Sequence, residues 1–598
     1  MSEKSSSYRR YEISYFDGIN SYVSDNISKK YELFHSENMR STEIGSIETR
    51  DGITDLGSDI TAQGNYGLTY FLNDGSNKGV YRVSDVGGTI GVYYLDNSSV
   101  WQALSGAGSG LSAAECSFAV AENDLYLTNY SDNPRYIKGS DGTTVYDSTS
   151  ASGNLYNCPK ASKIAYYNQR LYVADFYSGS TRYKNTVFFS SYPLGLAALI
   201  SDSPDSPYTT LKFTNTKYIY SVSGANTYDI YRGGSKVATI TVTEVTEEGV
   251  TCTVAFESGY TEIKAADEVY IANTYSGEKV FRWSKNPASS GEDVKLYDSF
   301  QAPVGDGSPI KMLVTINNVL LMANNTSMAF WDGSLVHNRD IGVGCVSKNG
   351  YVRANGAIYF VGYSGVYITN GTDYPRLISS KVAKYFSGAT KSGLEGAVAG
   401  KKGNSLFFYI GNVTLYHDNG ATNKTLHDVV MEYNMIQENW FVHTGVKVSH
   451  FENYPDSNAT PDLVMTTFFN HAPVCKFLDG NSDRGEDIFS RLDTQPLYLM
   501  PQFEKFFYPT EIIIDLSRGA GVKTFVSVDR DDFYQIKDIE SRGGANIIKV
   551  TEKNDETGQL VRCRVLQIST RLVGKHKFKL KRLAINYIIS SEEEMHDR

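Results

Sequence analysis

The feature that most constrains this chain is a hairpin-like unit that recurs. From Tyr351 to Gly371 the sequence reads YVRANGAIYFVGYSGVYITNG. Its two short runs, AIYFVGY and GVYITNG, are rich in aromatic and β-branched residues and carry apolar side chains at alternate positions, with Ser364 and Gly365 at the turn. That pattern predicts a β-hairpin. One hairpin cannot bury its own apolar face, whereas a ring of them can.

The unit returns as GLTYFLNDGSNKGVYRV, NDLYLTNYSDNPRYIKG, QRLYVADFYSGSTRYKNTVFFSS, NVLLMANNTSMAFWDG, NSLFFYIGNVTLYHDNG and DLVMTTFFNHAPVCKFLDG. With the hairpin above, the seven starts fall near residues 67, 123, 169, 318, 357, 404 and 462. Propeller blades recur every ~40–50 residues, and only the step from 169 to 318 breaks that period. The break coincides with a change of text from Thr209 to Trp283, a dense set of Thr/Val strands with turns at Gly233-Gly234 and Glu248-Gly249, flanked by SDSPDSP and NPASSGED. This reads as a small β-module inserted between the third and fourth hairpins.

After the seventh hairpin the period stops, and TEIIIDLS, VKTFVSVD, ANIIKVTEK, LVRCRVLQIST and HKFKLKRLAINYI predict longer strands with one buried and one wet face. The expected organisation is an N-terminal segment with the first propeller blades over 1–208, an inserted β-module over 209–290, the remaining blades over 291–485, and a separate antiparallel β-sandwich over 486–598. The expected fold class is all-β, a propeller of about seven blades carrying that insertion and that sandwich. The sole helix expected is SSKVAKYFSG, with Ser379 as N-cap and a glycine stop.

Composition agrees with strands, since 44 tyrosines and 52 glycines accompany an almost complete lack of helical apolar spacing. The balance of 57 basic and 67 acidic residues, a net charge of −10, argues against a chain that wraps nucleic acid through a large positive surface. Cys116, Cys158, Cys252, Cys345, Cys475 and Cys563 are scattered without zinc or disulfide spacing, and read as free thiols. The polar N-terminus MSEKSSSYRRYE and the lack of a ~18-residue apolar window predict no secretory signal and no membrane span, hence folding in a cytoplasm.

No constellation for chemistry emerges. The nine histidines are isolated, and His443 in NWFVHTG reads as a satisfied residue at a strand end. Asp529, Asp531 and Asp532 lack the alternation and glycine of a calcium loop and read as a solvated turn. GDGSP from Gly305 lacks the phosphate-cradling pattern and reads as a turn before a strand starting near Ile310. Catalytic, cofactor and metal residues are therefore expected to be none, with no Asp-box of a sialidase. In KHKFKLKR, Lys575, Lys577, Lys579 and Lys581 fall on one strand face and His576, Phe578 and Leu580 on the other. That face suits edge protection, docking against an acidic neighbour, or contact with nucleic acid.

The order of several motifs resembles one family. FDGINSYVSDNISKKYELFHSENMRSTEIGSIETRDGIT, with its glycine-bearing opening, Asn38, and the R-x-G from Arg50 to Gly52, looks like the start of phage tail proteins. Further on, the aromatic-Asp-Gly at Trp331 to Gly333, then IGVGCVSKNGYVRANGAIYFVGYSGVYITNGTDYPRLISSKVAKYF, MEYNMIQENWFVHTG and IIIDLSRGAGVKTFVSVDRDDFY are similar in order and spacing to the tail hub, or nozzle, of short-tailed bacteriophages, a packaged-DNA-stabilisation type of protein. The resemblance implies a virion structural protein, assembled in the host cytoplasm as a homo-hexameric ring below the tail adaptor (head-to-tail connector) proteins. It further implies tail fibres or spikes as neighbours, and genomic DNA passing through the lumen without sequence-specific binding. Against this stands a peripheral receptor-binding or fibre-docking role, in which Tyr-rich loops such as YYLDNSSVW and FYSGSTRY stack on glycans.

Overall fold

The structure, a computed structural model, describes residues 8–590 except 22–30, 42, 59, 73–76, 148–154, 156–157, 179, 191–196, 201–203, 214–226, 234, 246–248, 271–280, 282, 284–297, 304, 340–341, 416–423, 456–460, 468–472, 498, 500–505, 517–520, 530–533, 541–543, 550–563, 575–576 and 578. The chain is all-β and of the propeller type. Among the described residues seven sheets, antiparallel except for one parallel edge pair, follow one another as blades, accompanied by an inserted β-domain and a two-sheet sandwich. The chain divides into two units, one of residues 59–345 with 370–374, the other of residues 1–58, 346–369 and 375–598.

The first of these units holds four blades. Blade 1 is Ala62–Tyr70, Asn77–Val86, Thr89–Asp96 and Trp101–Ala103. Blade 2 is Ser117–Ala121, Asp124–Thr128, Arg135–Lys138 and Thr144–Asp147, edged by Ser105–Gly106. Ala161–Tyr167, Arg170–Ser178, Thr181–Phe189 and Ser299–Gln301 form blade 3; Met312–Ile316, Val319–Ala323, Met328–Trp331 and Val336–Arg339 form blade 4. Their cores are seams between consecutive blades. Tyr81, Val83 and Val92 meet Leu125 and Ile137; Tyr126 meets Ile164, Val173 and Phe176; Tyr172 and Val187 meet Leu313, Leu320 and Met322.

The second unit holds three blades. Blade 5 is Tyr351–Ala354, Ala357–Gly362, Gly365–Thr369 and Arg376–Leu377, and blade 6 is Val398–Lys402, Ser405–Leu415, Lys424–Asn434 and Asn439–His443. Blade 7 is Val448–Pro455, Pro461–Thr467 and Val474–Phe477, and its fourth strand is Ile53–Asp55 from near the start of the chain. Strand Ser405–Leu415 shows why its run from Leu406 to Ile410 is apolar at every position rather than at alternate ones. Leu406, Phe408 and Ile410 pack in the seam with blade 5, and Phe407 and Tyr409 in the seam with blade 7, so both faces are buried.

Several expectations need correction. AIYFVGYSGVYITNG forms the middle pair of strands of its blade, and Gly362 pairs with Gly365, so that the turn is Tyr363-Ser364 rather than Ser364-Gly365. NSLFFYIGNVTLY is one strand instead of a hairpin, because Gly411, at φ 76°, makes a bulge where a turn was expected. SSKVAKYFSG opens as a 3-10 turn, Ser380–Val382, before the helix Ala383–Gly388, and Ser379 Oγ accepts a hydrogen bond from Val366 N (2.9 Å) instead of capping. A second short helix, Lys391–Glu395, was not anticipated; Thr390 Oγ1 caps it by accepting from Gly393 N (3.0 Å).

The C-terminal sandwich is not made from residues 486–598 alone. One sheet runs Met39–Arg40, Ile47–Thr49, Lys579–Ser590, Phe506–Leu516, Gly544–Lys549, with Tyr8–Ile13 also paired to Lys579–Ser590. The other runs Leu33–Glu37, Ile488–Thr494, Leu566–Gly574, Gly521–Val528, Tyr534–Glu540. Their shared core joins Ile13, Leu33, Met39 and Ile47 to Leu492, Ile514, Val526, Ile568, Leu583 and Ile585. Most of residues 8–55 therefore belongs to the sandwich and to blade 7, rather than to the first blades as expected.

The inserted domain lies inside blade 3, between its third strand and its outer strand Ser299–Gln301. Its sheet orders Ala197–Leu199, Glu268–Tyr270, Thr227–Arg232, Ser235–Val245, Val250–Phe256 and Thr210–Leu211 around its own core of Ile230, Ile240, Val242 and Val250. It thus begins ahead of Thr209. Phe281 and Trp283 lie beyond the domain: both are fully buried in the seam between blades 2 and 3.

Because Ala197 pairs with Tyr270, excising 197–270 with a short Gly/Ser bridge is expected to leave a soluble, β-rich protein. Excising 209–283 removes both buried aromatics and is expected to cost on the order of 3–5 kcal/mol for each. Circular dichroism and thermal melting of the two deletions test the difference; equal loss of fold in both would make the domain integral.

Candidate functional site

The residues that carry the N-terminal resemblance converge in the second unit, where the start of the chain is joined to blades 6 and 7. Gly18, at φ 76°, lies so close to the backbone of blade 6 that a Cβ would stand 2.8 Å from Trp440 O, while Ile19 N donates to that same oxygen (2.9 Å). Asn38, also left-handed at φ 54°, accepts from Thr444 N (3.0 Å) and donates to Phe489 O (2.7 Å). Arg50 is fully buried and splits its donors: Nε to Asn38 Oδ1 (2.8 Å), Nη1 to Asp483 Oδ1 (2.8 Å) and Nη2 to Asp483 Oδ2 (2.5 Å). Gly52 has no room for a side chain, with a Cβ position 2.1 Å from Ser482 O. These contacts position strand Ile53–Asp55 on blade 7.

Asp483 was not singled out from the sequence, since nothing near it marks a partner far away in the chain. A cleft of about 700 Å³ opens beside this join, lined by Ile53, Thr444, Asp483, Arg484, Glu486 and Phe489 among others. Arg484 in that lining is paired to Asp55 (2.6 Å) and Asp483 to Arg50, so these two charges are committed to the fold, while Glu486 and Asp487 also line the cleft.

His443 sits in a second join. Its Nε2 lies 2.7 Å from Glu432 Oε2, and both side chains are buried. Arg40 Nη2 (2.9 Å) and Ser405 Oγ (2.6 Å) donate to Glu432 Oε1. Burial acts to raise the Glu432 carboxyl, but Arg40, His443 and Ser405 outweigh it and hold the group at about 2. Burial pulls His443 below its ordinary value despite that hydrogen bond, so the imidazole is neutral, with Nε2–H donating to a carboxylate. A histidine locked in this way is a structural link between strands, not a base open to substrate.

The remaining sequence candidates are dispersed. Lys577 is ion-paired with Asp51, and Lys579 with Glu43 (2.5 Å), so these two lysines of KHKFKLKR meet acidic residues of the chain's own N-terminal stretch; Lys581 is exposed, and Lys575 lies outside the described residues. Asp529 Oδ1 accepts from Arg564 N (2.7 Å) and Val565 N (2.8 Å), tying the end of strand Gly521–Val528 to the start of Leu566–Gly574, while Asp531 and Asp532 lie outside the described residues. Among the described residues no cluster of His, Cys, Asp and Glu has metal-holding geometry. In GDGSP, Asp306 Oδ1 accepts from Ser308 N (3.0 Å), a turn, and the next strand starts at Met312 instead of Ile310. Cys116, Cys158, Cys252, Cys345 and Cys475 are free thiols, and Cys563 lies outside the described residues. In the Tyr-rich loops Trp101 and Phe176 are buried, and Tyr183 stacks on Phe176 at 5.2 Å. Among the described residues no helix is long and apolar enough to cross a membrane.

No family model and no curated protein matches this chain. Among solved structures, the computationally designed Ika8 protein aligns at 10% identity over 71% of this chain and 99% of its own, with a TM-score of 0.30. An oligogalacturonate lyase from Vibrio parahaemolyticus aligns at 8% identity over 74% and 97%, TM-score 0.30. An exo-β-1,3-galactanase from Phanerochaete chrysosporium aligns at 9% identity over 82% and 99%, TM-score 0.19. Likeness of this degree carries no argument about activity.

Two outcomes follow from the joins. Asp483→Ala, which leaves the Arg50 guanidinium buried without its carboxylate, is expected to destabilise the second unit by about 3–5 kcal/mol, read as a lower urea midpoint. Glu432 is depressed in the folded chain, so its contribution is complete above its ordinary value of 4.5 and is lost as pH falls toward 2. Glu432→Gln is expected to flatten the fall of stability across that window, followed by fluorescence of the buried Trp440; an unchanged acid profile would disprove the assignment.

Proposed function

We propose that this chain is a structural component of a phage tail, forming with further copies a hub or nozzle ring below the portal-adaptor complex, through which DNA is retained and ejected. The observation that carries the reading is the use made of the family-like residues. Gly18, Asn38, Arg50 and Gly52 are committed to joining the start of the chain to blades 6 and 7, as suits a scaffold loaded by neighbours. The activity is assembly and the chain breaks no bond. Its partners are other copies in a homo-hexamer, the adaptor proteins and the fibres or spikes, and its location is the virion tail. The alternative, a peripheral receptor-binding or fibre-docking role, would rest on the half-exposed Tyr93, Tyr94, Tyr177 and Tyr183, since Trp101 and Phe176 of the same loops are turned into the blades.

Rings built from one chain use heterologous contacts, each patch meeting a different one. Purified protein, alone or with connector proteins, is expected to give a ring by mass photometry and negative-stain microscopy, with a central opening wide enough for duplex DNA. The narrowest lumen is expected to be acidic or neutral, because a lysine-lined wall would hold phosphates and slow passage. A chain that remains monomeric with its connector, or that cleaves a glycan until one carboxylate is changed, would overturn the proposal.

A further inference from the structure

The cleft of about 700 Å³ in the second unit opens where one strand of the sandwich runs past the end of its neighbour. Leu33–Glu37 pairs with Ile488–Thr494 only from Arg491 to Thr494, and the left-handed Asn38 then turns the chain away. Ile488 and Phe489, left without a strand on that side, line the cleft instead. Ile53 and Ile488 are almost fully buried in its lining, whereas the Phe489 side chain is 39% exposed. A half-wet aromatic ring beside apolar neighbours is surface that an occupant would gain by covering.

The rim is open. Gly445 and Gly485 stand at φ 80° and 96°, and a Cβ on either would meet no atom within 4 Å. Such a mouth admits a segment of chain, where an enclosed cavity would admit only a small molecule. Charge then selects the kind of segment. Of the charged residues in the lining, Asp483 is bound by Arg50 and Arg484 by Asp55. Glu486 and Asp487 are exposed, and among the described residues neither side chain has a hydrogen bond or ion pair. Once its internal pairs are made, the cleft is therefore negative.

We propose that this cleft docks an arginine-bearing segment of another protein, the guanidinium on Glu486 and Asp487 and the aliphatic stem along Ile53 and Phe489. A guanidinium meets a carboxylate through two parallel hydrogen bonds, stacks on an aromatic face and is weakly hydrated, whereas an ammonium is a strongly hydrated point charge. The stem of the same side chain covers apolar surface while its head stays at the rim. A second copy of this chain, at a net charge of −10, is the less complementary occupant. The site lies wholly within the second unit and depends on neither the ring nor the partners proposed above.

The probe is a fluorophore-labelled, acetylated and amidated pentapeptide, alanine-arginine-leucine-arginine-alanine, added to the full chain at low salt. Fluorescence anisotropy is expected to show saturable binding that weakens as ionic strength rises. Exchange of both arginines for citrulline, which keeps the shape and removes the charge, is expected to abolish it. Glu486→Gln, Asp487→Asn and Phe489→Ala are each expected to weaken binding about tenfold, whereas Glu438→Gln, at an exposed turn of blade 6, leaves it unchanged. Circular dichroism of each variant separates loss of binding from loss of fold. The two carboxylate changes, at exposed positions, keep the test decisive if Phe489→Ala disturbs the sandwich. Absence of saturable binding, equal binding of the citrulline peptide, or binding indifferent to Glu486→Gln with Asp487→Asn would each overturn the assignment. Agmatine that competes as tightly as the peptide would overturn it in favour of a small organic cation. Self-association of the chain that is lost in the doubly substituted protein would overturn it in favour of a second copy.

Discussion

Strand Ile53–Asp55 pairing with Val474–Phe477 is the constraint on which the second unit depends. Blade 7 has three strands of its own, and the row of backbone groups on Val474–Phe477 is satisfied by a segment that precedes every blade. An open sheet edge there would leave donors and acceptors unpaired beside a core of Phe451, Leu463 and Phe477. Because so short a strand supplies few hydrogen bonds, its hold comes from what flanks it. Arg50 is fixed on one side by Asn38 and Asp483, and Gly52 lets the chain pass against Ser482.

The same logic extends through the sandwich. Leu33–Glu37 and Met39–Arg40 supply edge strands, Ile47–Thr49 joins the latter to Lys579–Ser590, and Arg40 reaches from its edge to Glu432 of blade 6. Charged side chains buried in pairs contribute little net stability, but losing one partner is costly. Arg50 with Asp483, and Glu432 with Arg40 and His443, therefore act as checks on correct assembly of distant segments more than as sources of stability.

Much of the propeller is legible in the sequence because its pairings are local. Aromatic and β-branched runs separated by short turns mark the middle strands of most blades, and their spacing marks the period. What the pattern does not carry is the identity of a partner hundreds of residues away. Nothing in RDGIT, from Arg50 to Thr54, names Val474–Phe477, and KHKFKLKR looks the same whether its lysines meet solvent, phosphate or, as Lys577 and Lys579 do, Asp51 and Glu43. The module's limits were misplaced for a related reason. Phe281 and Trp283 follow a Thr/Val-rich text, yet belong to the seam of blades 2 and 3, and burial at a distance leaves no local mark. Gly411 likewise reads as a turn until its register with Lys424–Asn434 shows a bulge.

The linkage of residues 8–55 to strands as late as Lys579–Ser590 sets a schedule for biosynthesis. At about 5–20 residues per second, the N-terminal strands leave the ribosome tens of seconds before their partners exist. Throughout that interval Ile13, Leu33, Met39 and Ile47, all buried in the finished sandwich, have no native surface to cover them. The blades of local connectivity can form meanwhile, whereas the last blade waits for Val474–Phe477 and the sandwich for Lys579–Ser590. A nascent chain of this design is thus most exposed to misassociation at its oldest end, and a ribosome-bound chaperone has more to shield there than in the residues just emerging.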